Sequence, residues 1–482
     1  MKIDDIASRP AGATSQVLPR VSTMRAWYGV TILLIAYAFS IMDRQILTLL
    51  VGPIRHTLHV NDTQIGLLHG FTFAAFYALM GLPIARMIDR GDRRLIIAAG
   101  VAMWSVATAA SGLATEYWHL LLARVLVAIG EAVLLPGAVS LIADLFPSER
   151  RGPAMSAFGA SGSFGSGAGL IAGGLILGVF SVTPPSLPWL GMLHPWQATF
   201  MALGLPGVVV AVLMLAVPEP RHAQARAAGK FGGAPGGTRA CVDVPLTAVN
   251  AYARMNRSTM IALMLGAGFF YAAVYGWAAW APTYFVRGFA WTYPQVGKML
   301  GLQLAIVGPI GALLAGWVGG AWRRGGIPHA YLRIAVTAAA GMTVSAVGMV
   351  SVQSAHAATV FMGLGAFFAF FLFGAGPSAI QEIAPGPMHG QFAAIYTGVL
   401  SLLGAGCGPV AIGVLTDYVY RDSTAIGRSI GIVCLAFGLI ACCLFRFGFR
   451  PYNDTLARAL AWQPAQPPNT EVEAAGSGMA TR

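Results

Sequence analysis

The chain has 482 residues, of which 56% are hydrophobic and only 10% are charged. About a quarter of the residues in a soluble globular domain are charged, so this composition excludes a soluble protein and indicates an integral membrane protein. The net charge of +12 does not indicate nucleic-acid binding, because the Lys and Arg residues concentrate at the two ends and in alternate loops between apolar segments.

Long apolar segments recur along nearly the whole chain, and each can cross a hydrocarbon core of about 30 Å as a helix. The sequence therefore predicts an all-α membrane protein with twelve transmembrane helices. Hydropathy and flanking charges place these spans near residues 26–50, 63–86, 95–114, 118–144, 152–181, 197–217, 258–285, 295–321, 330–352, 356–383, 389–416 and 427–448.

The spans fall into two groups of six, separated by a polar linker rich in Gly, Ala, Pro and Arg. The expected organisation is a cytoplasmic tail at 1–25, an N-terminal bundle at 26–217, a linker at 218–257, a C-terminal bundle at 258–449 and a disordered cytoplasmic tail at 450–482. A short helix near residues 246–255 is expected to lie on the inner membrane surface. The basic residues at the ends and in the even-numbered loops predict cytoplasmic termini by the positive-inside rule. We expect a multi-pass plasma membrane protein, in the inner membrane of a bacterium.

The two groups of six spans carry an internal repeat. The segment "GLPIARMIDRGDRR" at the end of the second span and "GALLAGWVGGAWRR" at the end of the eighth align at a constant offset of 230 residues. This duplication resembles the major facilitator transporters, which have two pseudo-symmetric six-helix bundles. The resemblance implies that substrate is held between the bundles near the membrane midplane.

The loop after the second span resembles the major facilitator motif Gly-x-x-x-Asp-Arg-x-Gly-Arg-Arg. Four residues match it, namely Asp89, Arg90, Arg93 and Arg94, whereas Ala85 and Asp92 replace two of its glycines. The resemblance implies a cytoplasmic gate that latches the outward-open state, with the aspartate facing the positive N-terminus of the eleventh helix. Asp144 is expected to pair with Arg90 or Arg93. The alternative is a basic loop that serves only membrane topology.

The fifth span carries small residues at helical spacing. Gly165, Gly169, Gly173 and Gly174 form one strip, and such a strip lets two membrane helices approach closely. It resembles the glycine motif of major facilitator antiporters, but Leu170 stands in place of the proline of that motif. Ordinary packing and a hinge both remain open, and no antiport is inferred.

Four charged residues lie inside apolar spans. Asp43 and Arg44 are adjacent in "YAFSIMDRQIL", and Arg124 and Glu131 share one face of the fourth span because they are seven residues apart. Each unpaired charge at such depth costs about 3 kcal/mol or more, so the four charges are expected to be paired, hydrated or both. A purely structural salt-bridge cluster is the alternative.

The N-terminal half resembles the spinster-like subfamily of major facilitators. The segments "FSIMDRQIL", "NDTQIGLLHGFTFAAFYALMGLPIARMIDR" and "RVLVAIGEAVLLPGAVSLIADLFPSERRG" carry the resemblance. It implies a transporter of lysolipids or sphingoid phosphates, with proton coupling in some members. The functional positions that it implies are Asp43, Arg44, Arg124 and Glu131.

The resemblance implies a secondary active transporter that works by alternating access. The two arginines indicate an anionic substrate, and only the resemblance implies that this anion is amphipathic. Asp43 and Glu131 are the expected proton acceptors, and Arg44 and Arg124 are the expected ligands of the anion. Protonation of an acid would release its arginine to a phosphate, which predicts cotransport. The proton gradient is the expected energy source, and no cofactor is implied. A carrier of small organic anions, a drug exporter and a lipid channel or scramblase remain alternatives.

A lipid tail also needs an apolar compartment between the bundles. Candidate lining residues are the aromatic side chains of the seventh and tenth spans, Phe270, Tyr271, Tyr275, Phe367, Phe371 and Phe373. Facing lipid or packing within the bundle is the alternative for all six. The sequence assigns no role to His69, Gln381 or Glu382.

An enzyme is not expected. The sequence has no His-Glu-x-x-His and no Gly-x-Ser-x-Gly motif, and its five cysteines show neither metal-ligand spacing nor a disulfide framework. The expected partners are an amphipathic small molecule and membrane lipids, without nucleic acid, for a protein that acts as a monomer.

Overall fold

The computed structural model describes residues 22–188, 191–220, 245–327 and 329–462. Most of the predicted N-terminal tail, most of the linker and the last part of the C-terminal tail therefore lie outside the described residues. Within them the chain is almost entirely helical. A hairpin of two-residue strands, Ser186–Leu187 and Gly191–Met192, links the fifth span to the sixth.

The prediction of twelve spans is confirmed for the described part of the chain. We number them span 1 to span 12 in chain order. They are Thr23–Leu58, Asp62–Gly81, Arg93–Ser111, Tyr117–Leu145, Arg150–Val182, Pro195–Met214, Arg257–Phe289, Tyr293–Arg324, Ala330–Ser351, Ala355–Ile383, Gly386–Tyr420 and Ser423–Phe447. The helix of span 2 continues to Arg90, and that of span 5 begins at Ser148.

Three spans in the described part of the chain are not uniform α-helices. Span 2 contains a π-helical turn at Leu67–Phe71, and span 11 contains π-helical segments at Leu400–Cys407 and Leu415–Tyr420. Span 4 is interrupted between Tyr117–Glu131 and Leu134–Leu145. Local departures from the α-helix often mark functional segments of a membrane helix.

Spans 1–6 and 7–12 form the two halves of the protein. One apolar core lies wholly within the first half, around Trp104, Val127 and Leu141. A second apolar core fills the second half and includes the last turns of span 1, so it also joins the halves. We call the end of the molecule that carries residues 22 and 462 the terminal face, and the other end the distal face.

Two short helices cover the terminal face of the second half. The linker helix, Leu246–Met255, forms where the sequence predicts it. The C-terminal helix, Phe449–Ala461, shows that the prediction of disorder from residue 450 is wrong for this segment. Its Tyr452 and Thr455 are buried, because they fit against the helix ends of the second half.

The buried contacts of these two helices explain their order. Tyr252 of the linker helix donates to the carbonyl of Ile383 at 2.7 Å, and burial raises the pKa of this phenol to about 12. Tyr452 of the C-terminal helix donates to Glu382 at 2.6 Å. Glu382 also pairs with Arg323 at 3.0 Å, so this acid anchors the C-terminal helix to spans 8 and 10.

The halves touch at the distal face. Spans 5 and 8 are in close contact from the middle of span 5 toward that face. A Cβ atom built on Gly167 would stand 2.5 Å from the carbonyl oxygen of Gly301, and one on Gly174 would stand 2.7 Å from that of Tyr293. Near the terminal ends of the same spans, a Cβ atom on Gly159 or Gly316 would meet no described atom within 4 Å. The two helices therefore diverge toward the terminal face.

Spans 2 and 11 show the same divergence. A Cβ atom on Gly70 would stand 2.7 Å from the carbonyl oxygen of Ala405, whereas one on Gly81 or Gly398 would meet no described atom within 4 Å. The cleft between the halves is thus closed at the distal face and open at the terminal face.

The glycine strip of span 5 is a packing surface in this conformation. Gly165 and Gly169 lie against the backbone of span 1 at Ala38 and Met42, and Gly174 faces Tyr293 and Gly297 of span 8. Span 5 therefore uses two glycine faces, one toward its own half and one toward the other. The hinge alternative stays a prediction.

Candidate functional site

The four charged residues in the interior of spans 1 and 4 form two ion pairs between these spans. Arg124 Nη1 lies 2.7 Å from Asp43 Oδ2, and Arg44 Nε donates to Glu131 Oε2 at 2.7 Å. The neighbours Asp43 and Arg44 point in different directions, as their helical positions require, and each pairs with the other helix. The four charges are therefore paired, in agreement with the expectation that they are paired, hydrated or both.

Two hydroxyl groups complete the carboxylate environments. Thr108 Oγ1 donates to Asp43 Oδ1 at 2.8 Å, and Ser40 Oγ donates to Glu131 Oε2 at 2.7 Å. Both hydroxyl-bearing residues are buried. Sequence reasoning missed them, although Ser40 lies one helical turn before Arg44 and so shares its face. Each acid thus binds one arginine and one hydroxyl group, and both partners stabilise its charged form.

The two ion pairs differ in their access to the cleft. The side chains of Asp43 and Arg124 are 6% and 3% exposed, whereas Arg44 is 32% exposed beside a fully buried Glu131. Arg44 also lies over the rings of Phe73 and Tyr77, at 4.4 and 5.3 Å from their centroids. Of the four charges, Arg44 is therefore the group that a molecule in the cleft reaches first.

Both pairs retain unused hydrogen-bonding capacity. Arg124 Nε and Nη2 and Glu131 Oε1 are buried and have no hydrogen-bond partner among the described residues. Arg124 thus carries spare donors, and Glu131 carries a spare acceptor on the same helix face. Such a network is able to exchange partners when one of its members changes charge.

The six predicted aromatic residues do not share one environment. Phe270, Tyr271 and Phe371 are buried in the second half, and Phe367 packs against Phe371 with ring centroids 4.9 Å apart. The structure gives these four a packing role.

Tyr275 and Phe373 are 39% and 54% exposed, and the ring of Tyr271 lies between them at 6.0 and 6.1 Å. Tyr275 of span 7 lies within electrostatic reach of Arg44 of span 1. His69 lies in the π-helical turn of span 2 and within electrostatic reach of Arg44 and Arg124. Gln381 lines a cavity of about 530 Å³ beneath the C-terminal helix, away from the ion pairs.

Polar side chains join the halves across the distal face. Asp62, at the start of span 2, accepts from both terminal nitrogens of Arg287 of span 7 at 2.8 Å each. Asp417 of span 11 accepts from the backbone N–H and the hydroxyl of Thr63, at 2.6 and 2.7 Å. Sequence reasoning missed these contacts, although Asn61 and Gln64 form a capping box that marks the start of span 2.

A model of the Major Facilitator Superfamily matches residues 33–409. The chain belongs to this superfamily. Its two six-span halves with an open cleft between them are the corresponding fold, and the protein is a multi-pass membrane transporter rather than an enzyme.

Individual relatives support the same assignment. An MFS-type efflux pump of Mycolicibacterium smegmatis is 26% identical over 438 residues, which cover 90% of this chain and 95% of that protein. Human protein spinster homolog 1 is 31% identical over 182 residues, 37% of this chain and 32% of that protein. The predicted resemblance to spinster proteins is therefore confirmed as a similarity.

A solved structure has the same fold. It is the crystal structure of a bacterial homolog of the human lysosomal transporter Spinster, in an inward-facing and unoccupied conformation. Its TM-score against this chain is 0.72 at 23% sequence identity, and the match covers 92% of this chain and 100% of that one.

The major facilitator loop after span 2 forms a clamp within the first half. Arg93 is fully buried, donates to Asp144 Oδ2 at 2.7 Å and pairs closely with Glu219 after span 6. The contact of Arg93 with Asp144 is expected from the sequence. The contact with Glu219 was missed, because no sequence motif marks that residue. Arg94 binds Asp92 at 3.2 Å.

Asp89 and Arg90 lie exposed at the end of span 2. Because the cleft is open at this face, the structure is not the conformation in which the loop would latch against span 11. The latch of the resemblance stays a prediction for the opposite conformation.

Proposed function

We propose that this major facilitator is a proton-coupled carrier of an amphipathic anion, such as a lysophospholipid or a sphingoid phosphate. The observation that carries the proposal is the pair of Glu131 and Arg44, in which a buried acid holds an arginine that faces the open cleft. Asp43 and Arg124 form a second, sealed pair behind it.

Coupling follows from competition for Arg44. When Glu131 takes a proton, it no longer holds the guanidinium as an ion, and Arg44 is free to bind a phosphate through charge-assisted hydrogen bonds. A phosphate on Arg44 in turn removes the positive charge that stabilises the Glu131 carboxylate, and so favours its protonation. Proton and anion therefore favour each other's binding, which is the requirement for cotransport.

An amphipathic substrate suits the cleft better than a compact polar one. Arg44 is flanked by Phe73 and Tyr77, and Tyr275 and Phe373 of the second half expose aromatic surface. These side chains offer apolar contact next to a single cationic group. A headgroup at Arg44 and a tail against the aromatic side chains of the second half satisfy both surfaces.

The second candidate is a carrier of small organic anions or an exporter of drugs, and the similarity to an efflux pump favours the latter. A compact sugar acid would leave the aromatic rings beside Arg44 without an apolar partner. A cationic drug would be repelled by Arg44. Both arguments favour an amphipathic anion.

We also propose an orientation in the membrane. The basic residues of the loops at the terminal face support a cytoplasmic location of that face, by the positive-inside rule, in a bacterial inner membrane. The structure would then be the inward-open state. The proton gradient would drive the cycle of a carrier that acts as a monomer, without a cofactor.

Uptake into proteoliposomes tests the substrate class. Labelled lysophosphatidylglycerol, a sphingoid phosphate and a sugar acid are compared under an imposed pH gradient, with unlabelled substrate inside to detect counterflow. We expect uptake of the amphipathic anions and its loss in Arg44→Ala. The matched control is Arg324→Ala, an exposed arginine at the terminal end of span 8.

Three results would overturn the proposal. Equal uptake by Arg44→Ala would exclude Arg44 as the anion ligand, and preference for the sugar acid would exclude the lipid substrate. Uptake without counterflow or pH dependence would indicate a channel or scramblase instead of a carrier.

A further inference from the structure

The first turn of span 2 is held by a carboxylate from the other half of the protein. Asp417 Oδ2 accepts two hydrogen bonds from Thr63, one from the backbone N–H at 2.6 Å and one from the hydroxyl at 2.7 Å. Thr63 belongs to the first half and Asp417 to the second. This contact therefore exists only while the distal face is closed.

The backbone N–H groups of a helix's first turn have no partner within the helix, and an anion there also meets the positive end of the helix dipole. In span 2, two side chains from different halves of the protein accept hydrogen bonds from these N–H groups. Asn61 accepts from the N–H of Gln64 at 2.8 Å, from within the same half. Asp417 takes the N–H of Thr63 and supplies the negative charge from across the cleft.

The backbones leave little room around this cap. A Cβ atom on Gly413, one turn before Asp417, would stand 2.6 Å from the carbonyl oxygen of Asp62, and one on Gly66 would stand 2.8 Å from that of Pro409. Asp417 itself lies in the π-helical segment Leu415–Tyr420. Separation of spans 2 and 11 at this face must therefore break the cap and leave the N–H of Thr63 to find another partner.

We propose that Asp417 is a latch of the distal face, in addition to the Asp62–Arg287 pair. Its bonds to Thr63 stabilise the conformation that is open at the terminal face, and their release accompanies distal opening. This latch is the counterpart of the one predicted for Asp89. Asp89, at the end of span 2, would face the N-terminus of span 11, whereas Asp417, near the end of span 11, faces the N-terminus of span 2. The inference needs only a carrier that alternates between two conformations, and it depends on neither the substrate nor the proton.

The chain offers a matched control for this role. Asp422, five residues later, accepts from the N–H and the hydroxyl of Thr424 at 2.8 and 2.7 Å. The chemistry is the same, but both residues belong to the second half, where Asp422 caps the first turn of span 12. Removal of the Asp422 carboxylate therefore costs a local cap and no contact between the halves.

The test measures the distance between the halves at the distal face. Spin labels at Glu116 and Gln353, exposed residues on opposite halves, are introduced into a chain without its native cysteines, and distances are recorded by pulsed electron paramagnetic resonance. We expect Asp417→Ala to increase the ratio of distally open to distally closed molecules about tenfold, because hydrogen bonds to a charged group are lost. Asp422→Ala should leave the distribution unchanged.

Thr63→Val removes only the hydroxyl contact and keeps the fold of the turn, so it should shift the distribution in the same direction by a smaller factor. The proposal is overturned if Asp417→Ala and Thr63→Val both keep the parent distribution, or if Asp422→Ala shifts it as far as Asp417→Ala. No substrate or pH gradient enters this measurement, so its failure leaves the proposed substrate and coupling standing.

Discussion

Glu131 and Arg44 meet at 2.7 Å although they lie in very different surroundings. The carboxylate is fully buried, and the guanidinium that it binds is one-third exposed to the cleft. A charge inside a membrane protein is expensive unless it is paired or hydrated, and this pair uses both means. The acid is held by its partners, while the base remains available to a substrate.

Removal of the Ser40 hydroxyl should change the pH dependence of transport. Ser40 donates to the Glu131 carboxylate and so favours its charged form, which means that Ser40→Ala should make Glu131 bind a proton more tightly. The midpoint of the pH profile should move upward by about one unit. Ser40→Thr keeps the hydroxyl and should restore the parent midpoint. A Ser40→Ala profile that coincides with the parent profile would contradict this role.

Removal of the Arg124 side chain should lower the stability of the protein. Arg124→Ala leaves Asp43 buried with only Thr108 as a partner, and breaking a buried pair costs about 3–5 kcal/mol. We expect a clearly lower thermal midpoint in detergent. The double variant Asp43→Ala/Arg124→Ala removes both charges and should recover much of the loss. No recovery in the double variant would show that packing, rather than charge, causes the effect.

The clamp of the terminal face depends on Glu219. Arg93 is completely buried between Glu219 and Asp144, so Glu219→Ala leaves a buried cation with one acid fewer. The free energy of unfolding should fall by about 3 kcal/mol, read as a lower thermal midpoint. Glu116→Ala, an exposed acid at the distal face, should have no such effect. Equal midpoints for the two variants would exclude the clamp.

The contact of spans 5 and 8 should control distal closure. A Cβ atom at Gly301 would stand 2.6 Å from the carbonyl oxygen of Gly167, so Gly301→Ala should separate the spans and populate distally open molecules. Gly316→Ala, on the same span but in open space, is the control. Spin-label distances across the distal face measure the effect. A Gly301→Ala distribution equal to that of Gly316→Ala would show that this approach does not hold the face closed.

The sequence predicts what depends on local composition. Each span is long and apolar enough to be recognised by itself, and the cost of burying Asp43, Arg44, Arg124 and Glu131 requires that they find partners. The linker helix is also predicted at its observed residues from the local sequence.

Contacts between distant segments leave no such pattern. Asp417 and Thr63 are 354 residues apart, and only the closure of the distal face brings them together. Glu219 looks like an ordinary linker residue until span 6 places it beside Arg93. The C-terminal helix escaped prediction because it is polar overall, and the docking of Tyr452 onto Glu382 holds it in place. The conformational state is likewise a property of the interface between the halves and not of any one span.

The most direct test of the account is substrate-dependent proton movement. Proteoliposomes that contain a pH-sensitive dye are given lysophosphatidylglycerol at constant external pH, and internal pH and labelled lysolipid are followed together. We expect lysolipid entry to acidify the lumen in the parent protein. Glu131→Gln cannot gain or lose the proton, so it should separate lysolipid movement from acidification. Glu116→Gln, which alters an exposed acid outside the site, should behave like the parent. If Glu131→Gln acidifies the lumen as much as the parent does for each lysolipid taken up, the result contradicts the central claim that Glu131 carries the coupled proton.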